Sequence, residues 1–372
     1  MRIAYDHYTF TSQRFGGISR YFVELASRLA AREDCDVTVL AMLHFNAYVR
    51  ALPPSIARGV HVPHLRYTGR VRQVASGVAA ALWMRALRPD VVHETYLLRM
   101  RLAPRRSRVA VTVMDMTHER FPRLFSPIDR TRGAKAAAVG RADRVIVPSL
   151  STRRDLVEIL GTPEEKIDVV NLAGSLDRVP GTALPPAVRP PYVLYVGQRD
   201  EYKNFGTLVR AFGASAALTS GVQLVCAGGG PFNGAEREAL RTAGMPQGAA
   251  LQLTADDATL AELYARAAAF VYPSLYEGFG IPLVEAMRLG CPVVCSDTSS
   301  LPEVAADAAE LVPPTSPEAL ADALERVVGG NGHAEAMRAR GRTRARCFSW
   351  DRCAAETYAV YRRMLDDPPP AR

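Results

Sequence analysis

The sequence predicts an α/β protein built from two doubly wound, Rossmann-like domains that face each other across a cleft. Short apolar runs typical of strands alternate with amphipathic helical stretches along almost the whole chain, which favours parallel sheets. A length of 372 residues is typical of two domains rather than one. An aperiodic, proline-crowded stretch at 176–191 then predicts a linker between an N-terminal domain at 1–175 and a C-terminal domain at 192–349.

The first domain is predicted to begin with a strand at 2–5, directly after the initiator methionine, where an export signal would have no room. The periodicity then predicts a helix at 17–31, strands at 37–43 and near 60, a helix at 71–87, strands at 90–94 and 109–114, a helix at 131–141 and a strand at 144–147. A further helix begins near Ser151 or Thr152, whose hydroxyls suit a cap, and ends at Gly161.

The second domain follows the same alternation. Predicted strands lie at 192–196, 222–226, 250–253, 269–272, 293–295 and 310–312, with amphipathic helices between them. A C-terminal helix at about 350–366 places Trp350, Tyr358, Tyr361 and Leu365 at helical spacing. We expect this apolar stripe to pack back on the first domain.

The composition is that of a soluble globular protein. Hydrophobic residues make up 48% of the chain, and the most apolar run, near 74–84, is shorter than the roughly 18 residues that a membrane span needs. Six cysteines in an unexported chain indicate reduced thiols, and their spacing predicts no metal site. We therefore expect a cytoplasmic protein without a metal.

The charge is unevenly distributed between the two halves. Residues 1–180 contain 28 Lys and Arg against 17 Asp and Glu, whereas the remainder contains 18 against 21. A basic first half suits an anionic partner, such as a pyrophosphate-linked acceptor or peripheral contact with the inner face of the cell membrane, although a solvated surface is the simpler interpretation. Arginines at 99, 101, 105, 106 and 108 have no aromatic residue between them, which disfavours nucleic-acid binding.

Two glutamates, Glu277 and Glu285, stand eight positions apart around a glycine-containing turn that leads into a short helix. Pro282 suits the first helical position, and Gly290 suits the position just past the end. Main-chain amides and the helix dipole favour an anionic diphosphate at such a helix start, and carboxylates accept hydrogen bonds from sugar or ribose hydroxyls. The predicted binding turn consists of Gly278, Phe279, Gly280 and Ile281.

Two cations, Arg199 and Lys203, lie in the loop after the first strand of the second domain. Open parallel sheets gather ligand-binding groups at the carboxyl ends of their strands. Both cations could therefore bind a diphosphate and stabilise the charge on a departing nucleotide. Lys203 is one of only three lysines in the chain, which suggests that a compact ammonium is needed at this position.

In the first domain, Gly16, Gly17 and Arg20 follow the first strand, where the glycines could bring amides to a ligand. Asp115 and His118, with Glu119, leave a later strand and suit acceptor hydroxyls or general-base work. His93 and Glu94 leave the neighbouring strand. Each of these polar residues, taken alone, also fits an ordinary structural or capping role.

The motifs of several other enzyme classes are absent from this sequence. The second-domain glycines do not complete the G-x-G-x-x-G pattern of a nicotinamide dehydrogenase, and they lie late in their domain. Asp34-Cys35-Asp36 precedes its strand, so it does not suit a divalent-metal site for sugar transfer. No Walker lysine motif occurs.

On these motifs the chain resembles the retaining GT-B glycosyltransferases of family 4, from its first strand to its last helix. The resemblance implies that Glu277 lies against a donor sugar, that Glu285 lies against the nucleotide ribose, and that Lys203 and Arg199 bind the donor diphosphate. It also implies that Gly16, Gly17 and Arg20 form a ligand loop. The segment Gly-Gly-Ile-Ser-Arg-Tyr-Phe at 16–22 resembles the corresponding segment of bacterial mannosyl- or rhamnosyl-type enzymes of surface polysaccharide and O-antigen assembly.

Two positions depart from that family pattern. Met114 stands where members often have a histidine, and Gln198 stands where an arginine usually follows the phosphate-loop glycine. The hypothesis is a retaining transferase that moves a hexose from a nucleotide-diphosphate sugar to a glycan or lipid-linked acceptor. An inactive nucleotide-sugar-binding protein and a sugar-nucleotide epimerase of the same fold are the alternatives.

Overall fold

The computed structural model describes residues 1–63, 69–330 and 332–366, which form two compact units. The first unit comprises residues 1–172 together with the C-terminal helix that begins at Trp350, and the second comprises Ala173–Ser349. Each unit is a parallel sheet with helices. The proline-rich stretch at 176–191 lies within the second unit.

The first sheet contains, among the described residues, β1 (Arg2–Tyr5), β2 (Asp36–His44), β3 (Ala57–His61), β4 (Val91–Glu94), β5 (Arg108–Thr112), β6 (Arg144–Val147) and β7 (Ile167–Val169). Its strands are parallel and lie in the order β3-β2-β1-β4-β5-β6-β7. The sequence did not predict β7, because a three-residue strand is too short for a periodicity signal.

The first-unit helices are α1 (Tyr8–Ser12), α2 (Gly17–Ala30), α3 (Gly69–Leu87), α4 (Thr117–Arg120), α5 (Thr131–Arg141) and α6 (Leu150–Leu160). The sequence did not predict α1 and α4, each about one turn long. Ser149, rather than Ser151 or Thr152, caps α6 by accepting a hydrogen bond from the Thr152 amide at 3.0 Å, while Gly161 ends the helix in the left-handed conformation.

The second sheet contains β8 (Tyr192–Val196), β9 (Gln223–Ala227), β10 (Ala250–Leu253), β11 (Ala269–Tyr272), β12 (Val293–Ser296) and β13 (Ala309–Val312), all parallel in the order β10-β9-β8-β11-β12-β13. The helices are α7 (Phe205–Ala214), α8 (Ala216–Gly221), α9 (Gly234–Thr242), α10 (Asp257–Arg266), α11 (Ile281–Arg288), α12 (Leu301–Ala305), α13 (Pro317–Val328) and α14 (His333–Ala345). The six predicted strands are all present.

The last helix, α15 (Trp350–Asp366), packs on α2, β5 and β6 of the first unit. Its buried face includes Trp350 and Tyr361, as the spacing predicted. Leu365 is exposed, however, because Met364 takes the buried position, and the Tyr358 hydroxyl hydrogen-bonds Asp34 at the surface. Of the four residues of the predicted stripe, Leu365 therefore does not pack as expected.

In both sheets the strand order reverses near the centre, between β1 and β4 in the first and between β8 and β11 in the second. At such a switch point the loops after two neighbouring strands diverge to opposite faces and leave a crevice for ligands. Within the described residues, no helix is long and apolar enough to cross a membrane, and no group of three or more His, Cys, Asp and Glu could hold a metal ion.

Candidate functional site

The switch point of the second unit brings together two of the residues that the sequence singled out. Lys203 ends a short 3-10 turn, Glu201–Lys203, in the loop after β8. Glu277 lies in the loop after the neighbouring strand β11. Although 74 positions separate the two residues in sequence, the Lys203 Nζ atom lies 2.6 Å from the Glu277 Oε1 atom.

This ion pair lies among partly buried polar and aromatic groups. Ser274 Oγ donates to the same Glu277 oxygen at 2.7 Å. The ammonium of Lys203 lies 5.1 Å and 5.5 Å from the ring centres of Tyr202 and Tyr272, and 3.4 Å from the Tyr272 hydroxyl. Burial, and then the charge of Glu277, raises the pKa of Tyr272 well above its ordinary value, so this hydroxyl stays neutral.

Hydrogen bonds from neighbouring loops fix the position of Glu277 and Lys203. The Glu277 amide donates to Ser299 Oγ at 2.9 Å, and Ser300 Oγ donates to the Glu277 carbonyl at 2.9 Å. Next to Lys203, Asn204 has φ +58° and donates to the carbonyls of Pro273 and Pro314. These side chains tie the loops after β8, β11, β12 and β13 together, so the ion pair is held on a rigid frame.

The glycine-containing turn after Glu277 ends at α11, whose first residue is Ile281. Gly280 caps this helix with φ +98°, and a Cβ there would lie 3.1 Å from Leu301 Cδ2, so the position needs glycine. Pro282 is the second helical residue, one later than predicted, and Gly290 follows the end with φ +73°.

The other residues of the predicted binding turn differ in what they can offer a ligand. Phe279 is buried and packs edge-on against Phe348 with ring centres 5.5 Å apart, so its ring belongs to the core. Gly278 does not have a positive φ. Glu285 lies in the middle of α11, mostly buried, beside Gly174, where a Cβ would come 2.9 Å from Glu285 Cγ.

Arg199 has a different environment from the one that the sequence suggested. It is 3% exposed in its side chain, and its Nε atom pairs with Glu236 Oε1 at 2.8 Å. Its guanidinium also donates to the carbonyls of Gly228, Gly229 and Gly230 at 2.7–3.2 Å. Arg199 is therefore committed to protein partners, and a direct diphosphate contact from it is not supported by this geometry.

These partners form a turn that the sequence analysis missed. Gly228, Gly229 and Gly230 follow β9 and all have φ between +69° and +93°. Because β9 neighbours β8, the turn lies at the same sheet edge as Lys203. The sequence signal that could have predicted this turn is the run of three glycines before Pro231, directly after an apolar run.

The first unit has its own small pocket beyond the carboxyl ends of its strands. Its volume is about 50 Å³, and its lining includes Tyr96, Met114, Asp115 and His118. His118 stacks on Phe125 with ring centres 3.8 Å apart. Burial, and then the positive charge of Lys135, lowers the pKa of His118, so the imidazole is neutral near pH 7 and can accept a proton.

Other polar residues near this pocket have structural partners. Glu119 is buried against Lys135, whose Nζ lies 2.6 Å from Glu119 Oε2 and also donates to the Asp115 carbonyl at 2.8 Å. His93 is bonded to Tyr361 and Thr112. Arg141 forms a bidentate ion pair with the carboxylate of Glu94.

The double glycine of the first unit is the start of α2. Gly16 precedes the helix in an extended conformation, and Gly17 is its first residue. Arg20 donates from Nη2 to the Tyr48 hydroxyl at 2.9 Å and lies 4.7 Å from the centre of that ring. Neither glycine has the positive φ that would make glycine necessary on conformational grounds.

Comparison with known families agrees with this architecture. Residues 183–344 match the group 1 glycosyl transferases, and residues 15–177 match glycosyltransferase family 4. The chain belongs to the family 4 glycosyltransferases. It is therefore an enzyme that transfers a sugar, and its two Rossmann-like sheets are those of the GT-B fold.

The similarity to individual relatives extends over nearly the whole length of this glycosyltransferase. The O-antigen chain mannosyltransferase B of Escherichia coli is 28% identical over 94% of this chain and 96% of its own length. The sucrose-phosphate synthase of Thermosynechococcus elongatus superposes with a TM-score of 0.74 at 22% identity, covering 98% of this chain and 99% of that one. Anabaena Alr3699/HepE in complex with UDP-glucose gives 0.72 at 16% identity, covering 97% and 100%.

Proposed function

We propose that this glycosyltransferase moves a hexose, of mannose or rhamnose type, from a nucleotide-diphosphate sugar to a glycan or lipid-linked acceptor in bacterial surface polysaccharide assembly. The observation that carries the donor site is the Lys203–Glu277 pair, held at 2.6 Å at the switch point of the second sheet. A mannosyltransferase that is 28% identical over 94% of the chain supports the mannose-type donor.

In this proposal Lys203 binds the donor diphosphate and Glu277 accepts hydrogen bonds from hydroxyls of the donor sugar. An anionic diphosphate would draw the ammonium of Lys203 partly away from Glu277 and free that carboxylate for the sugar. We assign the start of α11, which follows the left-handed Gly280, to the same anion through its dipole and the Ile281 amide. Glu285, one turn further along, is assigned to the ribose.

The transfer is proposed to occur with retention of configuration, as in the retaining enzymes that the sequence resembles. The bond between the sugar carbon and the diphosphate oxygen breaks, and the electron pair leaves with the nucleotide diphosphate. The acceptor oxygen bonds to the same carbon and passes its proton to a diphosphate oxygen. Lys203 and the α11 amides stabilise the departing charge, so no protein nucleophile is required.

Arg199 is assigned a positioning role. It holds the turn Gly228–Gly230 beside the loop that carries Lys203, and the main-chain amides of such a turn are suited to binding an anion. In the first unit, Asp115 and neutral His118 line the pocket proposed for an acceptor hydroxyl. Gly16, Gly17 and Arg20 are proposed to border the ligand.

The direct test uses purified protein with GDP-, UDP-, ADP- and dTDP-linked hexoses. Calorimetry identifies the donor that binds, and mass analysis with NMR of the product identifies the sugar, the linkage and the anomeric configuration. Inverted product would refute the retaining mechanism. Binding without product would instead support an inactive binding protein, and conversion of the donor without any acceptor would support an epimerase.

A further inference from the structure

Helix α3 of the first unit buries an arginine and a serine while it leaves several branched apolar side chains exposed. Its inward-facing positions, four residues apart, are Arg72, Ser76, Ala80 and Met84, all of them buried. Its outward-facing positions are Val71, Val74, Val78 and Leu82, which are 59–73% exposed. Surface helices of globular proteins normally bury their apolar stripe and expose their polar face.

Specific contacts fix this orientation. Arg72 donates to the Thr11 carbonyl at 3.2 Å and lies 4.4 Å from the centre of the Phe45 ring. Ser76 Oγ accepts a hydrogen bond from the Leu43 amide in β2 at 3.2 Å. Rotating α3 to bury its valines would break these buried polar contacts, which costs about 1–3 kcal/mol for each group left without a partner.

The outward apolar stripe, extended by the half-exposed Trp83, is called here the α3 outer face. It lies in a part of the chain that carries no acidic residue. Residues 37–89 contain seven arginines and neither Asp nor Glu. Arg85 and Arg88 are exposed near the end of α3, and Arg58 and Val60 are exposed on the edge strand β3.

We propose that the α3 outer face docks on an anionic lipid bilayer, with the helix lying in the plane of the interface. A helix with large apolar side chains on one side and flanking arginines binds such a surface by burying the former and pairing the latter with lipid phosphates. A second copy of the chain suits the face less well. Two copies would bring two arginine-flanked faces together, whereas anionic lipid has the complementary charge.

This inference does not rest on the proposed transfer reaction. It places the first unit, with its pocket of Asp115 and His118, on a membrane surface. The physical consequence is that an acceptor anchored in the bilayer would be presented to the enzyme in two dimensions rather than drawn from solution.

The experiment is flotation of the purified full-length protein with vesicles of phosphatidylcholine alone or mixed with phosphatidylglycerol. The parent should float with the anionic vesicles, and the variant Val74→Glu/Leu82→Glu should remain in the bottom fraction. The control variant Val179→Glu/Leu311→Glu makes the same chemical change at exposed apolar residues of the second unit and should float like the parent. Replacing Arg85 and Arg88 by Gln should weaken partitioning about 25-fold, or about 1 kcal/mol for each arginine.

Tryptophan fluorescence of the parent protein tests the same proposal without depending on whether the variants fold. Trp83 lies on the α3 outer face, whereas the other tryptophan, Trp350, is buried. Anionic vesicles should therefore shift the fluorescence of the parent to the blue and shield it from an aqueous quencher, and Trp83→Phe should abolish the shift. The proposal is overturned if the parent does not float at low salt, if Val74→Glu/Leu82→Glu floats as well as the parent, or if the parent is a dimer that this variant dissociates.

Discussion

Replacing Lys203 by Ala separates a catalytic role of this lysine from a merely structural one. Loss of a preorganised group that stabilises a departing anion costs about 2.7–4 kcal/mol, so turnover at saturating donor should fall about 10²–10³-fold. The folded state also loses the partner of Glu277, whose carboxylate keeps the 2.7 Å hydrogen bond from Ser274. We expect the free energy of unfolding to fall by about 1–3 kcal/mol for that reason.

The double variant Lys203→Ala/Glu277→Gln separates these two effects. Neutralising residue 277 removes the unpaired charge, so stability should recover toward that of the parent while turnover stays low. Lys166→Ala is the matched control. This half-buried lysine donates to the Gly140 carbonyl at the amino ends of the first-sheet strands, away from the carboxyl ends, so its loss should leave turnover unchanged. Initial rates and urea denaturation measure the two quantities. Turnover of Lys203→Ala within threefold of the parent would refute the reasoning.

Four further predictions concern other parts of the enzyme. Glu277→Gln should lower kcat, whereas Glu285→Gln should chiefly weaken donor binding in calorimetry; identical kinetics in both would reject the division of roles. Arg199→Met should reduce the free energy of unfolding by about 3–5 kcal/mol, because it leaves buried carbonyls and Glu236 without their cation. Gly280→Ala should destabilise the protein by about 1–3 kcal/mol, because alanine is strained at φ +98°. Burial lowers the pKa of His93 from 6.5 to about 3, so the unfolded chain binds more protons between these values. The stability contribution of His93 should therefore be complete above pH 6.5 and fall by about 1.4 kcal/mol per pH unit as the pH drops, a slope that His93→Gln should reduce.

Controls for these predictions come from matched positions. Gly234→Ala changes a helical glycine with open space around its Cβ position, so it should be neutral or slightly stabilising, in contrast to Gly280→Ala. Arg199→Met/Glu236→Gln should recover part of the stability that Arg199→Met loses. If Arg199→Met instead unfolds like the parent and loses only turnover, Arg199 acts on the substrate rather than on the glycine turn.

Much of the fold could be predicted from local pattern. The strands of both sheets are apolar runs bounded by turn residues, and their alternation with helices allowed little besides parallel, doubly wound sheets. Lys203 and Glu277 each follow a strand, and carboxyl ends of parallel strands meet at one edge. The sequence therefore placed both residues at one sheet edge, whereas the adjacency of β8 and β11 and the 2.6 Å ion pair came from the tertiary structure.

The error at Leu365 in α15 arises because helical spacing does not identify the buried side of a helix. Helical spacing of aromatic residues in α15 fits more than one face, and only its packing on α2, β5 and β6 decided that Met364 is buried and Leu365 exposed. In α3 the apolar residues also have helical spacing, but the buried side is the one that Arg72 and Ser76 occupy. Periodicity predicts a helix with an apolar side and a polar side, but it does not determine which side packs on the core.

The sequence by itself determined the fold class, the family resemblance and the loops that carry the candidate donor residues, because strand and turn signals depend on neighbours a few positions apart. Tertiary structure decided which charges meet. Arg199 lies four residues from Lys203 in the same loop, yet it is paired with Glu236 and with the carbonyls after β9, while Lys203 is paired with Glu277 after β11. A cation pairs with whatever acceptor the folded chain brings within about 4 Å, and that choice depends on strand order rather than on sequence distance.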